Sequence, residues 1–207
     1  HSHECGKTGA SSCPRITFPA VTADSARYRR VNCYPPWRIR SRTMSSNGLA
    51  QAADNRERTE RLLEALNQRD VATIAELVDE DLIHHALGVD NTTEGRDAWI
   101  EQIAEFGAAF PDSELSIEDI VAEGDRVMFR VTMSGTFTEA FDGQAPSGRS
   151  AEVAGFHALR FEDGSVVEWW RLNNIFGWGK QLDALPLGPR SLGRIALRQL
   201  KWKLTGG

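Results

Sequence analysis

Apolar and polar positions along this chain follow first a helical period and then an extended one. Leu62, Leu63 and Leu66 recur at helical spacing beside charged neighbours over residues 58–66, which predicts a first helix. Asp70 is a good N-cap, and Val71, Ile74, Ala75, Leu77 and Val78 beyond it make the apolar stripe of a second. Residues 82–85 are short and extended. Gly95, Arg96 and Asp97 then open a third helix with Trp99, Ile100, Ile103, Phe106 and Phe110 on one side, and Pro111 ends it. Four strands follow as two hairpins. Residues 115–121 turn at Gly124-Asp125 into 126–137, and residues 151–161 turn at Asp163-Gly164 into 165–175. An Asp-Gly pair between apolar runs is a strong two-residue hairpin signal. Helices first and an antiparallel sheet afterwards indicate an α+β domain with helices over one face of the sheet.

Composition changes the picture mainly at the two ends. The chain has 207 residues, 41% hydrophobic, enough for one core. Residues 1–43 hold eight Lys and Arg against two Asp and Glu, and residues 44–185 hold eleven against twenty-seven. An acidic middle repels phosphate backbones, so no nucleic-acid partner is expected. Lys180 is the only lysine between Met44 and Pro186, a composition suited to a salt-rich cytoplasm. Cys5, Cys13 and Cys33 are an odd number confined to the first 43 residues, which is no disulfide framework. His1, His3 and Cys5 are metal-ligand types, but no second cluster completes a site. Residues 1–43 show no lasting periodicity and no apolar leader run. They are expected to be a disordered or non-native extension, with the native start at Met44. The expected domain spans 48–186.

Residues 191–204 place Leu192, Ile195, Ala196, Gln199 and Trp202 at helical spacing, with Arg190, Arg194, Arg198, Lys201 and Lys203 elsewhere around the helix. Such a helix can rest on anionic lipid, but docking on the protein's own acidic core or a second subunit is the preferred expectation.

The string AFPDSELSIEDIVAEGDRVMFRVTMSGTF, the loop GQAPSGR and the ending EWWRLNN…GKQLDALP resemble the SnoaL-like polyketide cyclases and ester cyclases. The resemblance covers residues 59–186. It implies a cone-shaped barrel, in which a curved antiparallel sheet is covered by three N-terminal helices. It further implies cofactor-independent aldol-type ring closure on a hydrophobic carbonyl compound and a homodimer paired through its sheets; a cytoplasmic location is expected. The family carries a proton-handling Asp where this chain has Asn174, and many relatives carry Gly-Thr-His where it reads Gly135-Thr136-Phe137. An amide cannot take up a proton near neutral pH, so Asn174 is expected to orient or stabilise an oxyanion.

With Asp163 and Gly164 as the turn, His157 falls opposite Trp170, Leu159 opposite Glu168, Gly155 opposite Leu172 and Val153 opposite Asn174. Alternation then sets Val153, His157, Leu159, Glu168, Trp170, Leu172 and Asn174 on one face. Glu168 would be a diagonal neighbour of His157 at about 7–8 Å between backbones. His157 with Glu168, or His85, which matches a histidine common in the family, is therefore the expected base. His84 is a weaker candidate. Phe137, Trp170, Leu172, Arg130 and Trp178 are expected around the substrate. Arg130 also has a plain structural reading as a partner of Asp119 across the first hairpin. No cofactor or metal is expected. A binding protein of the same fold, without the chemistry, is the alternative.

Overall fold

The computed structural model describes residues 46–89 and 91–205. The expectations for residues 1–43, including His1, His3 and Cys5, lie outside the described residues. The element order is α1 (Ser46–Gln68), α2 (Val71–Leu77), β1 (Val78–Leu87), β2 (Asn91–Glu94), α3 (Arg96–Ala109), β3 (Glu114–Glu123), β4 (Arg126–Thr136), β5 (Ser150–Glu162), β6 (Ser165–Asn173), α4 (Ile175–Gln181) and α5 (Pro189–Leu204).

The six strands form one curved sheet in the order β2-β1-β6-β5-β4-β3, and it does not close into a barrel. β1 runs parallel to β6, whereas every other neighbouring pair is antiparallel. The two hairpins stand where the sequence put them, and β1 and β2 extend the sheet beyond β6. Val78 is not helical. Its N–H closes the last turn of α2 onto Ile74, after which the chain extends and Val78 pairs with Val166. Asp70 caps α2 as expected, accepting from the Thr73 N–H at 3.2 Å.

Alternation is strict in β4 and β5, and their inward positions join the helices in a core of Leu62, Leu77, Leu82, Trp99, Val127, Phe129, Val131 and Leu159. A second cluster at one end packs Phe110, Met133, Phe137, Val153, Trp178 and Leu182.

The last strand departs from the expected register. Asp163 and Gly164 both take positive φ, 49° and 84°, as a mirror-image type I turn requires. Glu162 pairs with Ser165 and Phe161 with Val166, but Arg160 then pairs with Glu168, which leaves Val167 as an extra residue. This β-bulge moves every later pair by one, so Leu159 faces Trp169, His157 faces Arg171 and Gly155 faces Asn173. The two faces of β6 exchange beyond Val167. Burial explains the choice. Placing Trp169 inside gains about 2–3 kcal/mol, and keeping the Glu168 carboxylate outside avoids an ion-burial cost of several kcal/mol.

Helix α5 docks on its own chain. Arg194 holds the Asp183 carboxylate with two hydrogen bonds of 2.9 and 2.8 Å, and Gln199 bonds both Ala145 and Gly143. Among the described residues no helix is long and apolar enough to cross a membrane.

Candidate functional site

Between the inner face of the sheet and helices α3 and α4 lies a cavity of about 740 Å³. Its wall is largely aromatic: Trp99, Phe106 and Phe110 come from α3 and its end, Phe137 and Phe141 from the loop after β4, and Trp178 from α4. The rings pack in sequence, Phe106 on Phe110 at 4.6 Å and Phe110 on Phe137 at 5.2 Å between centroids.

The polar groups of this cavity come from the sheet. His84 reaches it from β1, His157 from β5, and Trp169, Arg171 and Asn173 from β6. His157 is 3% exposed, with its ring edge-on to Phe129 and Trp169 at 5.2 and 5.7 Å. Its Nε2 lies 3.0 Å from Oδ1 of Asn173. An amide oxygen can only accept, so Nε2 carries the proton and the lone pair of the neutral ring sits on Nδ1. Nδ1 has no hydrogen-bond partner among the described residues, and the same holds for Nδ1 of His84 and Nε1 of Trp169.

Burial pushes the His157 pKa down to about 4, with the Asn173 hydrogen bond opposing and the Arg171 charge adding to the fall. His84 falls to about 3, first through burial and then through Arg171 and the neighbouring histidines. Burial also lowers Arg171. Both imidazoles are therefore neutral near pH 7.

The bulge at Val167 separates residues expected together. Glu168 is on the outer face, where its carboxylate accepts from Arg160 Nε at 2.9 Å and meets His85 Nε2 at 3.1 Å. His85 stacks on Trp170 at 5.4 Å, also outside the cavity. Leu172 is exposed on that face beside Phe156. Asn174 is not on the strand at all. Its exposed side chain accepts from the Gly177 N–H at 2.9 Å and caps α4. Arg130 stands opposite Asp119 in the expected register, but no ion pair joins them and neither lines the cavity. His157, Phe137 and Trp178 do line it.

Trp169, Arg171 and Asn173 were missed from the sequence. Val166, Trp169 and Asn173 are the buried positions of β6, and their spacing of three and then four breaks the period of two. That break is the mark of the bulge, but adjacent Trp169 and Trp170 hide it, because either can serve as the inward ring.

A second depression of about 350 Å³ lies around Asp112, Thr136, Ser150 and Gln181. Its polar groups satisfy one another, with Asp112 accepting from Thr136 N and Oγ1 at 2.7 and 2.6 Å. Among the described residues no cluster of His, Cys, Asp and Glu is arranged to hold a metal ion.

Comparison with solved structures finds the same fold repeatedly. AclR from Streptomyces galilaeus, a candidate hydroxylase, is 30% identical with a TM-score of 0.58, covering 65% of this chain and 99% of its own. IdmH from Streptomyces antibioticus, a candidate polyketide cyclase, is 29% identical with a TM-score of 0.56, covering 62% and 97%. A SnoaL-like protein from Jannaschia sp. CCS1, at 23% identity and a TM-score of 0.59, covers 66% and 96% and shows the fold alone. The comparison with curated proteins gives no match. The family model of the SnoaL-like polyketide cyclases matches residues 56–182, which runs from within α1 through α4 and leaves α5 beyond it. Sequence match and fold agree, and the chain belongs to the SnoaL-like polyketide cyclase family.

Proposed function

We propose that this protein performs cofactor-independent acid/base chemistry on a hydrophobic carbonyl compound held in the cavity, of the ester- or polyketide-cyclase type. The observation that carries the reading is the pair His157–Asn173. A neutral imidazole, with its tautomer set by an amide and its lone pair unclaimed by the protein, is held at the cavity among aromatic walls. That is the form a general base must have before it takes a proton. In this reading His157 removes a proton next to the substrate carbonyl. The negative charge that develops on the carbonyl oxygen offsets the burial penalty of the imidazolium formed beside it. The unpartnered indole N–H of Trp169 is the donor nearest in kind to an oxyanion stabiliser. Attack of the resulting enolate on a second carbonyl of the same molecule closes the ring, and the proton returns to the new alkoxide. The similarity to IdmH supports this class of chemistry.

Asn174 gives the second reading its specific support. It is committed to capping α4, so the position of the family's Asp supplies no carboxylate. A binding protein that keeps the cavity without turnover matches that observation.

A homodimer paired through the outer sheet face, where Met128, Phe156 and Leu172 are exposed, and a cytoplasmic location are proposed with the first reading.

Turnover of a panel of aryl ketone esters and diketones by wild type and by His157→Ala separates the two readings. Catalysis predicts product from wild type and its loss in the variant. Ligand binding by both proteins with no product from either rejects the catalytic reading.

A further inference from the structure

One positive charge at this cavity is answered by nothing in the described chain. Arg171 lines the cavity from β6, and its Nε is buried without a hydrogen-bond partner. No carboxylate among the described residues forms an ion pair with it. Arg160 and Arg194 each hold a carboxylate, Glu168 and Asp183 respectively. Residues 44–185 carry twenty-seven acidic groups against eleven basic ones, so partners were abundant elsewhere on the fold. His84 and His157, which feel the Arg171 charge, supply no negative charge in either protonation state. Burial of a guanidinium without a counter-ion is costly, and an anion arriving with good hydrogen-bond geometry recovers that cost. The surrounding wall of Trp99, Phe106 and Phe110 is apolar and aromatic, which selects a ligand whose remaining surface is hydrophobic and flat.

We infer that the cavity takes a hydrophobic ligand bearing an ionised carboxylate, with the carboxylate seated on Arg171 and the apolar body against the aromatic wall. The inference rests on the reading of this cavity as the substrate site, and it narrows the substrate from any carbonyl compound to one that is also an acid. Arg171 then fixes which end of the molecule lies beside His157. It acts as an anchor at a distance from the reacting carbon, and the proton transfer itself stays with the imidazole.

Isothermal titration of the full chain with 2-naphthoate and with its uncharged methyl ester tests this. Wild type is expected to bind the acid about tenfold or more tightly than the ester. Arg171→Gln is expected to lose that preference and Arg171→Lys to keep part of it. Perturbation of the Trp169 indole N–H resonance by naphthoate in wild type locates the probe independently of whether either variant folds. Equal affinity for acid and ester in wild type, no binding of either, or an intact preference in a folded Arg171→Gln protein overturns the inference. His157-dependent turnover of neutral carbonyl compounds with no preference for acids would remove this inference and leave the catalytic reading standing. Tight acid binding through Arg171 without turnover of any compound would do the reverse.

Discussion

Asn173 and His157 meet across the β5–β6 ladder, with the amide oxygen 3.0 Å from Nε2 of the ring. Gly155 makes the meeting possible. It pairs directly with Asn173, and a Cβ at residue 155 would overlap the Asn173 carboxamide. The bulge at Val167 turns Asn173 inward, and the bare backbone of Gly155 leaves room for its side chain beside the imidazole.

Gly155→Ala should therefore act at a distance of one hydrogen bond from His157. The added methyl must displace the Asn173 amide, at a cost of about 1–3 kcal/mol for overpacking. Urea denaturation should show that loss, and the His157 ring nitrogens should lose their fixed tautomer by NMR. An unchanged midpoint with an unchanged imidazole spectrum would count against the geometry.

Glu168→Gln separates the observed register from the unbulged one. Glu168 serves Arg160 and His85 on the outer face, so its neutralisation should alter cavity binding and turnover by less than about twofold, as a partly exposed ion pair allows. The unbulged register would place the carboxylate beside His157 and make the same variant severely defective. Ligand affinity and kcat/KM measured on that variant decide between the two registers.

Acid should destabilise the fold through its buried histidines. Both have folded pKa values below the ordinary 6.5, about 4 for His157 and about 3 for His84. Between pH 6.5 and those values the unfolded chain binds protons that the folded chain refuses. Their contribution is fully present above 6.5 and is lost as pH falls through 6.5 toward 4 and then 3. Urea midpoints measured at about pH 7, 5.5 and 4.5 should decline, and less steeply in His157→Gln. Identical declines in both proteins would contradict the buried neutral imidazole.

Asp183→Asn should loosen α5. The Asp183 carboxylate accepts two hydrogen bonds from Arg194, which holds its pKa below the usual carboxylate range. Loss of that charge should raise hydrogen exchange across 189–204 while leaving the strands protected. Equal protection of α5 in both proteins would show that the Gln199 hydrogen bonds suffice.

Much of the architecture was legible because it rests on period and turn chemistry. Asp163-Gly164 specified its hairpin, Asp70 its helix start, and the apolar stripe of α3 its buried side. What the sequence concealed was a single inserted residue. Val167 looks like any strand valine, and the paired tryptophans 169 and 170 allow either face to be the inner one. One slipped position was enough to exchange Glu168 for Trp169 and Arg171, and to hand the site's amide from Asn174 to Asn173. His84 and His85 posed the same ambiguity on β1, where pairing with β6 settles which imidazole faces in. The parallel β1–β6 pairing is set by contacts distant in sequence, and no local pattern encodes it.

The central claim is that His157 removes a proton next to a carbonyl inside this cavity. Its most direct measurement is the faster of two deuterium incorporations in D2O, at the α-carbon of 2-tetralone or of a 2-tetralone carrying a ring carboxylate, followed by NMR with wild type and His157→Gln. Wild type should accelerate exchange over buffer, and the variant should lose about 10²-fold or more of that acceleration. Exchange by wild type no faster than buffer, or equally fast exchange by His157→Gln, would contradict the account.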